Sequence, residues 1–492
     1  MVNRNPVVKN PFFSFLSILI SFFVFLFIVC FVELNPAHPE MTRTIAVAVL
    51  MALLWVTEAI PLPVTALIPV VLFPFLGIMS GRQTASLYFN NVIFLFLGGF
   101  IMALAMQKWG LHRRIALKII ILIGTSYKRL LLGFMFATSF LSMWISNTAT
   151  VMMMTPIAMS VIHRLDQEGR GEKKRFDTGL LLGIAYSASI GGIATLIGTP
   201  PNAIFVKIMS MYFPDIPEVS FSSWFFFAAP ITAILFVCCY ALLVVLYCPK
   251  DSFSVNKEIF LEERKKLGPM SYEEKVVAVL FSILAFLWFT RADIKIGNAK
   301  ICGWASLFPY SDFIDDGTVA IAVAVFLFLI PCKDKGWGTI MDWESAKELP
   351  WGIILLFGGG FALAAGFKNA GVSSWLASKF VHTGATHISL VIVSICAGVS
   401  ALTEFASNTA SAQVVLPVMA SLAKAIKINP FITMVPATIS ASCAFMLPVA
   451  TPPNAIIFGT NRLRVWDMFR TGLIVDLLGI LVISLFSVFY FI

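Results

Sequence analysis

A chain of 492 residues that is 59% hydrophobic and only 12% charged is not a water-soluble enzyme or scaffold, since soluble domains carry about twice that charged fraction. The formal net charge of +9 could suit a polyanion. However, the Lys and Arg cluster between apolar runs, where membrane topology accounts for them, and no nucleic-acid partner is expected.

The first apolar run, residues 12–32, is about as long as a bilayer is thick. It follows Arg4 and Lys9 and lacks a small-x-small cleavage site, so it reads as a retained first span. Further spans are expected at 43–60, 62–79 and 90–107. A basic stretch at 108–129 then leads to two apolar arms, 130–145 and 149–162, each short of the roughly 20 residues a full crossing needs. Ser146-Asn147-Thr148 stands between them, and basic residues lie at both outer ends. This reads as a re-entrant hairpin whose tip reaches membrane depth, where irregular backbone is tolerated only against protein or a cavity.

The next span begins near Thr178 and breaks at Thr199-Pro200-Pro201-Asn202, because two consecutive prolines end a helix. A span at 222–247 and a polar linker follow. The pattern then recurs, with spans at 274–290, 317–331 and 351–367, a hairpin around Ser407-Asn408-Thr409, a break at Thr451-Pro452-Pro453-Asn454 and a last span at 471–492. A shift of 261 residues carries Gly99-Phe100 onto Gly360-Phe361 and the first Ser-Asn-Thr onto the second; past Pro417 the shift becomes 252. The expected division is therefore 1–41 (tail and first span), 42–249 (first repeat, hairpin about 129–163, broken helix at 199–202), 250–273 (cytoplasmic linker) and 274–492 (second repeat, hairpin about 389–424, broken helix at 451–454).

Segments 1–11, 108–129, 164–175, 250–275, 333–347 and 462–470 together hold 25 of the 35 Lys and Arg, which places them inside. The N-terminus is then cytoplasmic and the C-terminus outside. Five spans per repeat inverts the second copy, so the two Ser-Asn-Thr tips approach from opposite sides. A single such triplet reads as a packing contact or kink, but two inverted copies of triplet and break point to a transporter's binding site.

Ser, Asn and Thr supply oxygen ligands for a hard cation and donors for a carboxylate. A broken helix adds free carbonyls for cations on one side and free N–H groups for anions on the other. Neither the triplets nor the Pro-Pro breaks contain Lys, Arg or His, so an anionic substrate would depend on bound cations and helix ends. Among other polar residues, Glu404 reads either as a ligand or as a solvated cap, Glu58 as a packing anchor, and Asp476, His112 and His163 as interfacial. The glycine runs Gly98-Gly99 and Gly358-Gly359-Gly360 read as close helix packing, not a phosphate loop. The cysteines lack C-x-x-C spacing and read as buried small hydrophobes.

With WVTEAIPLPVTALIP (55–69), both SNT strings, IGTPPNAI (197–204) and ASCAFMLPVATPPNAI (441–456), the chain resembles the divalent anion/sodium symporter family, and its INDY-type dicarboxylate carriers in particular. The resemblance implies a homodimer of about eleven membrane helices and two re-entrant hairpins per chain, set in a cell membrane and surrounded by lipid. A transport domain would slide on a scaffold domain as an elevator. It further implies uptake of C4-dicarboxylates (succinate, malate, fumarate) with co-transported sodium ions. One sodium site would use Ser142, Ser146, Asn147 and the Gly198 carbonyl; the other would use Thr403, Ala406, Asn408 and the Ala450 carbonyl. The dicarboxylate would meet Asn147, Thr148, Thr199, Asn408, Thr409, Thr451 and Pro452. The alternatives are an exchanger or proton-coupled carrier of the same fold, or a citrate or sulfate transporter.

Overall fold

The computed structural model describes residues 11–167, 174–249, 257–296, 299–333, 338–372, 375 and 387–491. The expected N-terminal tail at 1–10 and the linker stretch 250–256 lie outside the described residues. Among the described residues the regular structure is helical apart from a short hairpin of two antiparallel strands, β1 (Ile294–Ile296) and β2 (Ala299–Ile301). Among the described residues, eight helices are long and apolar enough to cross a membrane, and three apolar helices are shorter.

The first part comprises α1 (Pro11–Phe31), α2 (Pro39–Thr57), α3 (Leu62–Thr65), α4 (Ile68–Phe75), α5 (Gly81–Ser86) and α6 (Asn91–Lys108). The span expected at 62–79 is instead two short helices with proline in the first turn of each, where its missing N–H is not needed. The basic stretch 108–129 also differs from expectation, since it contains a helix, α7 (Leu111–Ile123). Its Leu111, Ala116, Leu117 and Ile120 are buried. Arg113 and Arg114 point away to ion-pair with Glu263 at 2.8 Å and Glu274 at 2.5 Å. The cationic face is a docking face, which a count of charges does not reveal.

The first hairpin is α8 (Tyr127–Ser142) and α9 (Asn147–Gln167), and the broken helix after it is α10 (Lys174–Ile193) and α11 (Pro200–Tyr212). The long α12 (Phe221–Tyr247) follows, started by Ser220, whose hydroxyl accepts from the Ser223 N–H in the usual N-cap manner. Next come α13 (Glu258–Lys266), α14 (Tyr272–Thr290), α15 (Asp316–Leu329), α16 (Trp343–Ala346) and α17 (Trp351–Asn369). The second hairpin is α18 (Ile388–Phe405) and α19 (Asn408–Ala425); its broken helix is α20 (Phe431–Ser440) and α21 (Pro452–Phe458), and α22 (Val465–Phe491) closes the chain.

Packing crosses between the repeats. The downstream half of each broken helix lies on the second arm of the other repeat's hairpin, α11 on α19 and α21 on α9. The buried apolar residues form two clusters, a smaller one around α2, α4 and α17 and a larger one holding both hairpins and both broken helices. The glycine run of α17 sits at the seam between them. A Cβ on Gly358 would collide with the Tyr88 ring, one on Gly359 with the Ala66 backbone and one on Gly360 with the Gln413 side chain. Three consecutive glycines thus admit neighbours on three sides, the close approach that small residues permit in membrane helices.

Candidate functional site

Both breaks are built the same way. Thr199 and Thr451 precede Pro-Pro and take extended backbone, with φ/ψ of −143°/140° and −139°/150°, as the residue before proline must. Each break frees the carbonyls at the end of the upstream helix. The Asn two residues after the first proline donates to carbonyls at the end of α10 and within each break. The Asn202 amide donates to the carbonyls of Gly192 (3.3 Å), Ile193 (3.2 Å) and Thr195 (2.7 Å), and the Asn454 amide to those of Ala444 (3.1 Å) and Leu447 (3.0 Å). These two asparagines, absent from the sequence-derived site, hold the breaks open. The two breaks also meet, with the Thr199 and Ser442 hydroxyls 3.5 Å apart.

Each hairpin tip is tied to the broken helix that follows it through one hydroxyl. Ser142 donates to the Ala188 carbonyl at 2.7 Å and faces Asn147 Oδ1 at 2.5 Å. In the second repeat the Thr403 hydroxyl lies 2.9 Å from both the Ala441 carbonyl and Asn408 Oδ1, and its one proton serves either acceptor. The hydroxyl stands five residues before the Asn in both, so the repeat extends to individual atoms.

At the first tip, the terminal amide atom of Asn147 that faces Ser142 also lies 3.1 Å from the Ala188 carbonyl and 3.2 Å from the Gly198 carbonyl. With nitrogen there, the amide donates to both carbonyls. With oxygen there, four oxygens converge and a cation between them is the natural partner. The residues present therefore fit a hard cation. The cradle is also close-walled: a Cβ on Gly192 would lie 2.6 Å from Asn147 Oδ1 and 3.0 Å from the Gly198 carbonyl oxygen. Ala188 and Gly192 contribute backbone only and leave no mark in a motif.

Of the other sequence-derived residues, Ser146 accepts through its hydroxyl from the Ala149 N–H at 3.3 Å. Ala406 ends α18 and Ala450 immediately precedes the Thr451 cap; both are buried. Thr409, Thr199 and Thr451 are buried, Thr148 is half-buried and Pro452 is exposed. Because α9 starts at Asn147 and α19 at Asn408, both triplets lie at helix N-termini, where free N–H groups and the helix dipole favour an anion.

Glu404 is neither a ligand nor a solvated cap. It is fully buried and its carboxylate accepts from the backbone N–H groups of Phe445 (2.6 Å), Met446 (2.9 Å) and Leu447 (3.0 Å). Those are donors that the second break would otherwise leave unmet. The interfacial reading of Asp476 also fails, since it is 3% exposed and lies beside Glu404 and Ser400.

Comparison with known proteins gives a consistent set of relatives. A family profile described as the sodium:sulfate symporter transmembrane region matches residues 14–492. The sodium-dependent dicarboxylate transporter SdcS of Staphylococcus saprophyticus is 41% identical over 90% of this chain and 84% of its own length. The SdcS protein of a Staphylococcus aureus strain is 38% identical over 97% and 91%. Among solved structures, the YdaH transporter of Alcanivorax borkumensis aligns with a TM-score of 0.56 at 13% identity, over 98% of each chain. MtrF of Neisseria gonorrhoeae aligns with the same score and identity over 93% of this chain and 96% of its own. At that identity these two structures speak to fold alone.

Proposed function

Because the chain belongs to the sodium:sulfate symporter family, we propose that it is a sodium-coupled importer of C4-dicarboxylates such as succinate, malate and fumarate, working as a secondary-active symporter. The observation that carries this reading is the pair of matched hydroxyl–amide–carbonyl clusters, Ser142–Asn147–Ala188–Gly198 and Thr403–Asn408–Ala441, each at the start of a helix. The names of the Staphylococcus relatives support the same substrate class and the same coupling ion.

Sodium enters each cluster first. At the first, the Asn147 amide turns its oxygen to the ion, which draws the hairpin tip onto the Gly198 carbonyl. Each ion's charge lowers the cost of desolvating the doubly negative substrate. The carboxylates then sit at the N-termini of α9 and α19, against Asn147 and Thr148 on one side and Asn408 and Thr409 on the other. Thr199, Thr451 and Pro452 line the same space. Ser146, Ala406 and the Ala450 carbonyl complete the cation shells.

In this reading the body that holds both hairpins and both broken helices slides against the α2–α4–α17 body, within a homodimer in the cell membrane whose N-termini face the cytoplasm. The test is uptake of labelled succinate into proteoliposomes containing the purified protein, with a sodium or a potassium gradient at fixed pH. Uptake that stops in potassium supports the reading. Uptake unchanged in potassium, driven instead by a proton gradient or by internal dicarboxylate, would assign the chain to the proton-coupled or exchange alternatives.

A further inference from the structure

A cavity of about 640 Å³, lined by no residue of either hairpin tip, opens between the start of α10, the end of α12 and the segment 461–471 that leads into α22. Four guanidinium groups line it, those of Arg175, Arg462, Arg464 and Arg470, against two carboxylates, Asp177 and Asp467. Arg462 is engaged, bonded to Asp166 at 2.9 Å and facing Asp177 at 3.6 Å. Among the described residues the other three arginines form no ion pair. The polar wall is fixed rather than loose, because the Tyr247 and Thr471 hydroxyls are bonded at 2.6 Å.

The surroundings of this cavity are apolar and outward-facing. Trp466, in the lining, is 67% exposed and Val245, at the end of α12, is 79% exposed. Leu477 and Leu481 continue an unclad strip along α22, which packs on α12. A cationic cavity therefore stands at the head of a greasy strip, with a tryptophan at the level where such rings mark a membrane interface.

We propose that this cavity binds the phosphate of an anionic phospholipid headgroup, with an acyl chain lying along the α12–α22 strip. Arginine forks match phosphate oxygens in pairs, and basic pockets between membrane helices suit anionic headgroups. The apolar strip selects a lipid over a free phosphate, which has no use for it. Positive-inside topology places the cavity at the cytoplasmic leaflet.

The experiment is native mass spectrometry of the purified protein with phosphatidylglycerol or phosphatidylcholine, with inorganic phosphate as a third arm. The wild type should retain phosphatidylglycerol over phosphatidylcholine. The double substitution Arg464→Gln with Arg470→Gln should lower that retention by roughly thirtyfold, at about a kcal/mol per arginine, while Arg464→Lys with Arg470→Lys, which keeps the charge but not the fork, falls between the two. Equal retention of the two lipids by wild type overturns the proposal without needing a variant. So does displacement of phosphatidylglycerol by millimolar inorganic phosphate, which would assign the cavity to free anions. Neither readout depends on sodium or succinate transport, so its failure is separable from failure of the transport reading.

Discussion

At the scale of single residues, the proposed cation cradle is defined as much by what lacks a side chain as by what has one. Gly192 leaves room for the Asn147 amide and the Gly198 carbonyl to meet. Gly192→Ala should raise the sodium concentration for half-maximal uptake by roughly tenfold or more, a loss of about 1.4 kcal/mol in ion binding, while the protein still inserts and folds. Sodium titration of succinate uptake reads this directly, and an unchanged half-maximal concentration would show that the cradle is elsewhere. Glu404 makes a different prediction. Its carboxylate satisfies three N–H groups, one buried and two half-buried, and a buried donor left without a partner costs about 1–3 kcal/mol. Glu404→Ala should therefore lower the thermal unfolding midpoint in detergent by many degrees, and Glu404→Gln, which keeps one acceptor oxygen, by less. A midpoint unmoved by Glu404→Ala would contradict the capping role. The acid itself was visible in the sequence, but its task was not. The equivalent position in the first repeat, 261 residues earlier, is Met143, whose carbonyl accepts from the Thr195 hydroxyl instead.

At the scale of elements, the two broken helices and the two hairpin tips were legible because proline and Ser-Asn-Thr act locally. Proline stops a helix wherever it falls, and both motifs fall at matched register. Asn202 and Asn454 stood in plain view within the TPPN strings, yet their work on carbonyls seven to ten residues earlier depends on how the chain doubles back. Asn202→Leu removes the amide that takes up the carbonyls ending α10, so uptake and the unfolding midpoint should fall together, by about 1–3 kcal/mol in stability. Loss of uptake at an unchanged midpoint would mean that Asn202 touches substrate instead. Helix α7 was missed for the opposite reason. Its cations read as loop, whereas they are the docking side of an amphipathic helix that meets Glu263 and Glu274, and those partners lie about 150 residues away in sequence.

At the scale of the whole molecule, the duplication and the membrane character were written in composition and repeat, because hydrophobicity summed over long runs tolerates local error. The crossing of repeats, α11 onto α19 and α21 onto α9, was not, since nothing in one segment names its partner. The same holds for the seam at α17, where the Tyr212 hydroxyl donates to the Ala364 carbonyl at 3.0 Å and Gln413 to the Leu356 carbonyl at 2.5 Å. Under the proposed sliding motion these bonds are exchanged between the end states. Tyr212→Phe removes one bond and leaves the ring, so it should shift the balance of inward- and outward-facing forms by up to about tenfold, read as altered reactivity of a single engineered cysteine at the seam, with the fold intact. An unchanged pattern would argue that α11 and α17 move as one.

In the proposed cycle two clusters, one per repeat, bind the sodium that makes room for a doubly charged substrate. Uptake of labelled succinate by proteoliposomes under a sodium gradient tests it most directly, comparing wild type with Asn147→Ala and Asn408→Ala at matched unfolding midpoints. Uptake should fall to background in each variant, as it should for wild type when potassium replaces sodium. Wild-type uptake in either variant would contradict the account.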